Sequence, residues 1–258
     1  MKQSVNIIKI GGNVIDNEAM LEVFLRDFAS LGRRKILVHG GGKMATRLSE
    51  RLSIPAIMHE GRRITDDETL KIVTMVYAGW INKHIVALLQ KMNCMAIGLS
   101  GPDANLIPAV RRSPVPIDFG HAGDVAPEKI NISFLQNILE QGITPVFCAI
   151  THDGCGGLLN SNADTIASSL ASSLSQIFST RLIYCFEKDG VLSNPDDEKS
   201  VIKHIRRDTY QEMKESGTIT AGMIPKIDNA FKAIDAGVSE VLIKHARNLN
   251  NDLGTTIL

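Results

Sequence analysis

The stretch ILVHGGGKMATRL, residues 36–48, decides the fold class of this chain. A short apolar run leads into three consecutive glycines, and a helical pattern follows them directly. A strand that turns through glycines into a helix directs backbone N–H groups and a helix N-terminus at one point, which favours an anion. A second junction opens the chain, where the strand-like VNIIKIGG, residues 5–12, carries Lys9 and ends in two glycines. Two such junctions predict a parallel sheet with an anion-binding site beyond the carboxyl ends of its strands.

Strand and helix signals alternate along the remaining sequence. Short β-branched runs mark the strands, and apolar residues three or four positions apart mark the helices. The predicted strands are VNIIKI, KILVH, residues 95–98, TPVFCAI, LIYCF and, as the last strand, SEVLIK. The predicted helices cover residues 17–31, 44–52, 67–92, 133–141, 162–175, 208–216 and 225–236. Residues 106–119 contain three prolines and predict a hairpin beside the sheet. The alternation predicts a mostly parallel sheet with helices on both faces.

Bulk properties argue against several classes of protein. The chain has 258 residues, with 28 Lys and Arg against 28 Asp and Glu and a formal net charge of zero. No long block of like charges occurs, so a nucleic-acid partner is not expected. No apolar run approaches the length of a membrane span, and the strand signal near Val5 leaves no room for a signal peptide. The four cysteines form no CxxC pair, which fits a reducing cytoplasm.

The glycine triplet admits two nucleotide-binding interpretations. A P-loop requires GxxxxGK[ST], but Lys43 is followed by methionine and no glycine lies at the required upstream position, so this interpretation fails. A dinucleotide-binding fingerprint, GxGxxG/A, is satisfied by Gly40, Gly42 and Ala45, and Glu60 falls where an acidic ribose ligand is expected. An NAD-dependent dehydrogenase is therefore a rival hypothesis. It does not explain Lys9, Lys226 and Asp164, which are described next.

Lysine and amide side chains near these junctions point to phosphoryl transfer. Lys9 interrupts a buried strand just before two glycines, where it either snorkels to solvent or faces phosphate oxygens. Asn160, Asn162 and Asp164 lead into a small-residue helix. Asn162 or Asp164 can cap it, but three such side chains exceed what a cap needs. Lys226 begins a helix against the helix dipole, a cost that an anionic ligand offsets. Phosphoryl transfer is catalysed mainly by positioning and by neutralising charge, and such lysines serve both.

Together, these motifs resemble the amino acid kinase family, and within it the N-acetyl-L-glutamate kinases. They occur in order over nearly the entire chain: IIKIGG, VHGGG, EGRRIT, GLSGPDANLI, GHAGDV, LLNSNADTIA, EKDGVL and AGMIPK. Each motif alone is weak, but the ordered set is specific, and GRRIT and NSNAD point to the acetylglutamate branch rather than to aspartate, carbamate or uridylate kinases. The resemblance implies one α/β domain, residues 1–258, folded as an open three-layer αβα sandwich with a mainly parallel central sheet. It implies an N-terminal lobe, about 1–150, that binds the acylated amino acid and dimerises, and a C-terminal lobe, about 151–258, that binds ATP.

The resemblance also implies a reaction and the residues that perform it. The γ-phosphoryl group of ATP moves to the side-chain carboxylate of N-acetyl-L-glutamate, a step of arginine biosynthesis. Mg²⁺ bridges the β- and γ-phosphates, without a metal site made of protein side chains.

The implied catalytic residues are Lys9, Lys226 and Asp164, with Asp164 holding both lysines. Arg63 would bind the α-carboxylate of the substrate, a bidentate task that suits guanidinium. The other implied substrate-binding residues are Gly41, Gly42, Asn160 and Asn162, and the phosphate-binding residues are Gly11 and Gly12. The implied ATP-binding residues are Glu187, Lys188, Asp189, Gly190, Val191, Leu192, Thr218, Ile219 and Thr220.

Three departures from the family pattern bear on substrate and assembly. Glu187 stands where relatives usually carry aspartate, so ribose or magnesium contacts are expected to shift. Ala122 stands where a valine is usual, which enlarges the expected acyl pocket and keeps N-succinyl-L-glutamate as an alternative substrate. The first strand begins almost at Met1, without the extra N-terminal helix of the arginine-inhibited hexamers. We therefore expect a cytoplasmic homodimer, formed through the long helix around Trp80, without arginine feedback and without a membrane or nucleic-acid partner. The remaining rivals are a kinase of the same fold with another acceptor and a non-catalytic nucleotide-binding protein.

Overall fold

The computed structural model of the chain describes residues 2–194, 196–219 and 223–258. Its strands are β1 (Ser4–Ile10), β2 (Lys35–His39), β3 (Met58–His59), β4 (Arg62–Arg63), β5 (Ala96–Leu99), β6 (Ala109–Arg111), β7 (Ala122–Val125), β8 (Thr144–Phe147), β9 (Ile150–His152), β10 (Leu158–Ser161), β11 (Ser179–Phe186), β12 (His204–Ile205), β13 (Glu240–His245) and β14 (Thr255–Ile257). Its α-helices are α1 (Gly12–Asp16), α2 (Glu18–Ser30), α3 (Gly42–Arg51), α4 (Asp67–Thr74), α5 (Asn82–Lys91), α6 (Ile132–Glu140), α7 (Ala163–Leu174), α8 (Arg207–Glu215) and α9 (Ile224–Asp235).

The central sheet has eight strands in the order β12-β14-β13-β11-β1-β2-β8-β5. All of its neighbouring pairs are parallel except β13 with β14. β1 lies in the middle, and its Lys9 is in register with Tyr184 of β11 and Val38 of β2. Both glycine junctions therefore leave the sheet side by side at the carboxyl ends of β1 and β2, where parallel α/β sheets place their ligands.

Helices cover the two faces of this sheet and complete the predicted αβα sandwich. α7 packs on β1, β2 and β11 and against α9, whereas α5 packs on β5 and β8 and against α2. The apolar side chains of β1 and all five residues of β2 are buried, as continuous apolar runs require in a sheet covered on both faces. Asn17 caps α2 by accepting a hydrogen bond from the Met20 amide at 3.0 Å, as its position in the sequence predicts.

Two smaller sheets stand at the edge where the carboxyl ends of the strands meet. One has the order β6-β7-β10-β9, and the other is the short hairpin β3–β4. The sequence prediction is wrong here in two places. TPVFCAI is not one strand: β8 ends at Phe147, and the last residue of the run, Ile150, begins β9 of the small sheet, because the apolar run conceals a change of sheet. The hairpin predicted for 106–119 pairs β6 with β7 instead, and the proline-rich residues 112–121 connect them because proline lacks the N–H that a ladder needs.

The chain also ends differently from the prediction, since β14 follows β13 and pairs with it antiparallel. Residues 67–91 form one long helix in which a π-helical segment, Met75–Ile81, joins α4 to α5. Among the described residues, this helix is the one stretch long and apolar enough to cross a membrane. That is weak evidence of a span, because core helices of soluble proteins can be as long and as apolar, and 44% of the most apolar part of this helix is buried. Trp80 and Met75 remain exposed on it, with 63% and 55% of their surface accessible.

Candidate active site

Two cavities meet at the carboxyl edge of the central sheet, and Gly42 lines both of them. The arginine-lined cavity, of about 230 Å³, lies among α3, the β3–β4 hairpin, the small four-stranded sheet and the start of α7. The lysine-lined cavity, of about 380 Å³, lies between the two glycine junctions and the starts of α7 and α9. A ligand that extends from one cavity into the other must pass the backbone of Gly42.

The lysine-lined cavity brings together the three residues expected to be catalytic, Lys9, Asp164 and Lys226. Lys9 Nζ lies 2.7 Å from Asp164 Oδ1, and both side chains are only partly exposed. Asp164 sits in the first turn of α7, where a carboxylate is stabilised by the helix dipole. Lys226 enters from the first turn of α9, and its Nζ lies 4.6 Å from the centroid of the Phe186 ring. The family resemblance implies that Asp164 holds both lysines; among the described residues it forms an ion pair with Lys9 only.

Glycine is present at the two junctions for different structural reasons. A Cβ on Gly41 would stand 2.3 Å from Ile81 Cδ1 and 2.9 Å from Tyr77 Cδ1, and its φ of +156° also disfavours a side chain. Gly41 is therefore required by close packing on the long helix. A Cβ on Gly42 would meet its nearest atom, Tyr77 Oη, at 3.9 Å, and a Cβ on Gly12 would meet nothing within 4 Å. Within the part of the chain that the structure describes, no neighbouring group requires glycine at these two positions. Both line the lysine-lined cavity, so a ligand explains them better than packing does.

Arg63 is the best-defined charge of the arginine-lined cavity. Its Nη2 donates to the Gly42 carbonyl at 3.0 Å and to Thr46 Oγ1 at 2.7 Å, so it supports the start of α3. The residue is only 9% exposed, and its Nη1 is buried with no partner among the described residues. A buried guanidinium nitrogen without an acceptor is costly, and an anionic ligand in this cavity would supply the missing acceptor.

Asn160 and Asn162 reach the same cavity from β10 and from the start of α7. Asn160 Nδ2 donates to Thr65 Oγ1 at 3.0 Å. Asn162 is the N-cap of α7, because its Oδ1 accepts hydrogen bonds from the amides of Asp164 at 2.8 Å and Thr165 at 3.2 Å. The cap fixes the helix start, and with it the position of the Asp164 carboxylate.

The segment predicted to bind nucleotide divides between a cavity and the core. Glu187, Lys188, Asp189 and Leu192 line a third cavity of about 300 Å³, which joins the lysine-lined cavity at Glu187. Val191 is buried, and its amide donates to Thr255 Oγ1 at 2.8 Å, while a Cβ on Gly190 would stand 2.6 Å from the same oxygen.

The other nucleotide-binding prediction concerns residues 218–220. Ile219 is buried in the core, and the Thr218 hydroxyl lies 2.9 Å from that of Ser216. The structure brings neither residue into the lining of the three cavities, as far as the described residues show. Thr220 lies outside the described residues, so its predicted contact stays a prediction.

His39 is a supporting residue that sequence reasoning assigned only to packing. Burial lowers its pKa to about 4, so the ring is neutral at pH 7. The Nδ1–H donates to the Gly40 carbonyl at 2.8 Å, and Nε2 accepts from Asn82 Nδ2 at 3.1 Å. This pair holds the first carbonyl of the glycine triplet. Its only sequence signal is a histidine at the end of an apolar strand.

The cavities gain further side chains that the motif reasoning did not select. Tyr77, Arg62 and Arg112 line the arginine-lined cavity. Asn13 and Lys43 line the lysine-lined cavity. Each of them adjoins a motif residue in the sequence or the fold, but single-sequence reasoning has no periodicity or spacing rule that distinguishes them from surface residues.

The geometry does not support a dehydrogenase. The fingerprint requires an acidic residue at the end of the next parallel strand, but α3 is followed by the two-residue β3, outside the central sheet. Glu60 lies in the β3–β4 turn with 86% of its side chain exposed. Within the described part of the chain, no three His, Cys, Asp or Glu side chains converge as metal ligands do.

Comparison with known proteins agrees with this geometry. Residues 4–245 match the model of the amino acid kinase family. The chain is 54% identical to an acetylglutamate kinase of Cytophaga hutchinsonii over 99% of both chains, and 50% identical to that of Phocaeicola vulgatus over 100% of this chain and 99% of the relative. A crystal structure of a Streptococcus mutans protein, smu.665, superimposes with a TM-score of 0.78 at 28% identity over 98% of each chain. By its family match, its close full-length relatives and its fold, the chain belongs to the amino acid kinase family.

Proposed function

We propose that this chain transfers the γ-phosphoryl group of ATP to the side-chain carboxylate of N-acetyl-L-glutamate, as a step of arginine biosynthesis. The observation that carries the proposal is the pair of cavities joined at Gly42. One has a buried arginine nitrogen without a partner among the described residues, and the other is lined by Lys9, Lys226 and Asp164. The full-length relatives named acetylglutamate kinase support the choice of acceptor.

The arginine-lined cavity suits an acylated amino acid. Arg63 Nη1 supplies a charged donor for the α-carboxylate, and the amides of Asn160 and Asn162 offer hydrogen bonds to the acylamino group. With the α-carboxylate held by Arg63, the side-chain carboxylate extends past Gly42 towards the lysines. This placement brings the acceptor oxygen to the cavity in which the phosphoryl group is held.

The chemical step needs no proton transfer. An ionised carboxylate oxygen forms a bond to the γ-phosphorus, the bond from that phosphorus to the bridging oxygen breaks, and its electron pair leaves with ADP. Charge on the transferred group and on the two oxygens in line with it must be neutralised, because acceptor and donor are both anions. Lys9 and Lys226 do this from separate elements, and Asp164 orients Lys9.

The residues present fit a magnesium nucleotide held largely by its phosphates. The lysine-lined cavity and the third cavity share Glu187, so a nucleotide can extend from the glycine junctions along residues 187–192. Mg²⁺ bound with the nucleotide would spread the negative charge of the phosphates. Asp164 forms an ion pair with Lys9, and Glu187 accepts a hydrogen bond from Asn13 at 2.6 Å, so the phosphates themselves would hold most of the ion.

N-succinyl-L-glutamate is a second candidate acceptor. Ala122 lines the arginine-lined cavity, and its small side chain leaves room at the acyl group. Arg62 lines the same cavity and forms no ion pair with any described residue. A succinyl group would bring a third carboxylate, with which the Arg62 guanidinium could form an ion pair.

The proposal extends to assembly and location. Residues of about 1–150 form the lobe that binds the acylated amino acid, and residues of about 151–258 form the lobe that binds ATP. Two chains associate through the long helix around the exposed Trp80, where a large apolar side chain gains most from burial. The enzyme works in the cytoplasm. Sedimentation of a dimer is the result that fits.

The direct test is ADP release from Mg-ATP with the acyl phosphate trapped by hydroxylamine. N-acetyl-L-glutamate and N-succinyl-L-glutamate are assayed in parallel, and N-acetyl-L-aspartate, one methylene shorter, is the control. Turnover with either glutamate and little with the aspartate supports the proposal, and the ratio of kcat/KM values decides between the acyl groups. ATP binding without turnover of either glutamate would refute the acceptor.

Two adjacent glycines give a prediction with its own matched control. Gly42→Ala should leave the free energy of unfolding within about 0.5 kcal/mol of wild type but lower kcat/KM at least about tenfold, since the new Cβ points into ligand space. Gly41→Ala should lower the free energy of unfolding by about 1–3 kcal/mol, because its Cβ overlaps buried Ile81. Urea titration and steady-state kinetics of both variants measure this. The prediction fails when Gly42→Ala keeps full activity.

A further inference from the structure

Among the described residues that line the lysine-lined cavity, Lys43 is the one lysine that neither the sequence motifs nor the proposed mechanism uses. It is the second residue of α3, directly after the glycine triplet, and its side chain is exposed. The first turn of α3 carries no acidic residue and no side-chain cap. An ammonium at a helix N-terminus is opposed by the helix dipole, so this position costs free energy unless an anion is bound nearby.

The partner of Lys43 in this structure is neutral. Its Nζ donates to Asn13 Oδ1, and Asn13 Nδ2 donates to Glu187 Oε1 at 2.6 Å. These two hydrogen bonds link Lys43, Asn13 and Glu187 across the cavity. They connect the start of α3, through the segment after β1, to the end of β11. No described carboxylate lies within ion-pair distance of Lys43, whereas Lys9 has Asp164 at 2.7 Å.

The charges around this cavity leave a positive excess. Lys9, Lys43 and Lys226 supply three positive charges, and Asp164 and Glu187 supply two negative ones, so the described lining carries a net charge of +1. When a nucleotide binds, a phosphate oxygen can replace the Asn13 amide oxygen as the acceptor for Lys43. The ammonium binds an anionic oxygen more strongly than a neutral one. A lysine stem with three rotatable donors makes that exchange without moving the backbone.

We infer that Lys43 is a third phosphate-binding lysine, which leaves Asn13 when ATP binds and contacts the oxygens of the γ-phosphoryl group. Asn13 is its positioning residue, since its amide holds Lys43 on one side and Glu187 on the other. Gly42 lines both cavities and Lys43 follows it in sequence, so the contact falls on the phosphate nearest the acceptor. This inference rests on the proposed phosphoryl transfer and adds a residue to it.

The test compares nucleotides that differ in the γ-phosphate. Lys43→Met should weaken binding of the ATP analogue AMP-PNP with Mg²⁺ about 10-fold or more, while binding of ADP changes by less than about 3-fold, as calorimetry measures. It should also lower kcat by about 10–100-fold with little change in the KM for the acylated glutamate. Lys43→Arg should recover most of the difference between the nucleotides, because it restores the charge.

Lys91→Met is the matched control, since Lys91 is an exposed lysine that pairs with Glu22 far from the cavities. It removes the same surface charge and should bind both nucleotides as wild type does. Equal loss of ADP and AMP-PNP affinity in Lys43→Met, or no loss of either, would overturn the inference. A wild-type enzyme that fails to phosphorylate acylglutamates would refute the proposed function. The comparison of ADP and AMP-PNP affinities would still decide the role of Lys43, because nucleotide binding needs no acceptor.

Discussion

Lys226→Ala is expected to lower kcat for acyl phosphate formation by about 10²–10³-fold, while the KM for the acylated glutamate changes only a few-fold. The Lys226 ammonium lies over the Phe186 ring in the lysine-lined cavity and forms no ion pair with a described residue. Its removal therefore strands no buried carboxylate, and the loss falls on the transition state, where charge on the transferred phosphoryl group is greatest. Steady-state kinetics with the acceptor and ATP varied separately measure both constants.

Lys232→Ala is the control for this variant, because Lys232 is an exposed lysine near the end of the same helix, α9. It should turn over at the wild-type rate. Lys9→Ala should lose as much kcat as Lys226→Ala, and it should also lose stability, since Asp164 then keeps a half-buried charge without its partner. Turnover close to wild type in Lys226→Ala would remove that lysine from the mechanism.

The sequence predicted the central sheet because its signals are local. β1, β2, β11 and β13 are short segments rich in buried apolar residues, as expected for strands of a sheet that is covered on both faces. The break within TPVFCAI was not predictable from periodicity, because residues 146–150, which span the end of β8 and the start of β9, are all apolar and buried. What separates them is tertiary pairing, β8 with β2 and β9 with β10, which no short window contains.

The candidate site was predictable where a residue type conflicts with its surroundings. A lysine in an apolar strand and a lysine at a helix start both stood out, and both line the lysine-lined cavity. Gly41 shows what could not be predicted. The sequence associates the whole triplet with a ligand, but Tyr77, 36 residues further along the chain on the long helix, excludes a side chain at Gly41. The second role of Arg63, supporting Gly42, was hidden for the same reason, because the contact joins β4 to α3.

Arg63→Lys carries the other large expected effect, a rise of about 30–100-fold in the KM for the acylated glutamate. One guanidinium serves Gly42 O at 3.0 Å and Thr46 Oγ1 at 2.7 Å through Nη2 and keeps a buried Nη1 for the ligand. An ammonium offers all its donors from one nitrogen, so it cannot hold the loop and the substrate carboxylate at guanidinium spacing. The change should appear in steady-state kinetics and in the calorimetric affinity for the acylated glutamate alone.

Two further variants separate the roles of Arg63. Thr46→Val removes one of its partners but leaves Nη1 in place, so the KM should rise by no more than about 10-fold, and the gap to Arg63→Lys measures the ligand contact itself. Arg51→Lys, at the exposed end of the same helix α3, controls for the change from arginine to lysine and should match wild type. If Arg63→Lys and Thr46→Val instead raised the KM equally, Arg63 would act by supporting the Gly42 loop, and the α-carboxylate would have to be held by another residue of the cavity.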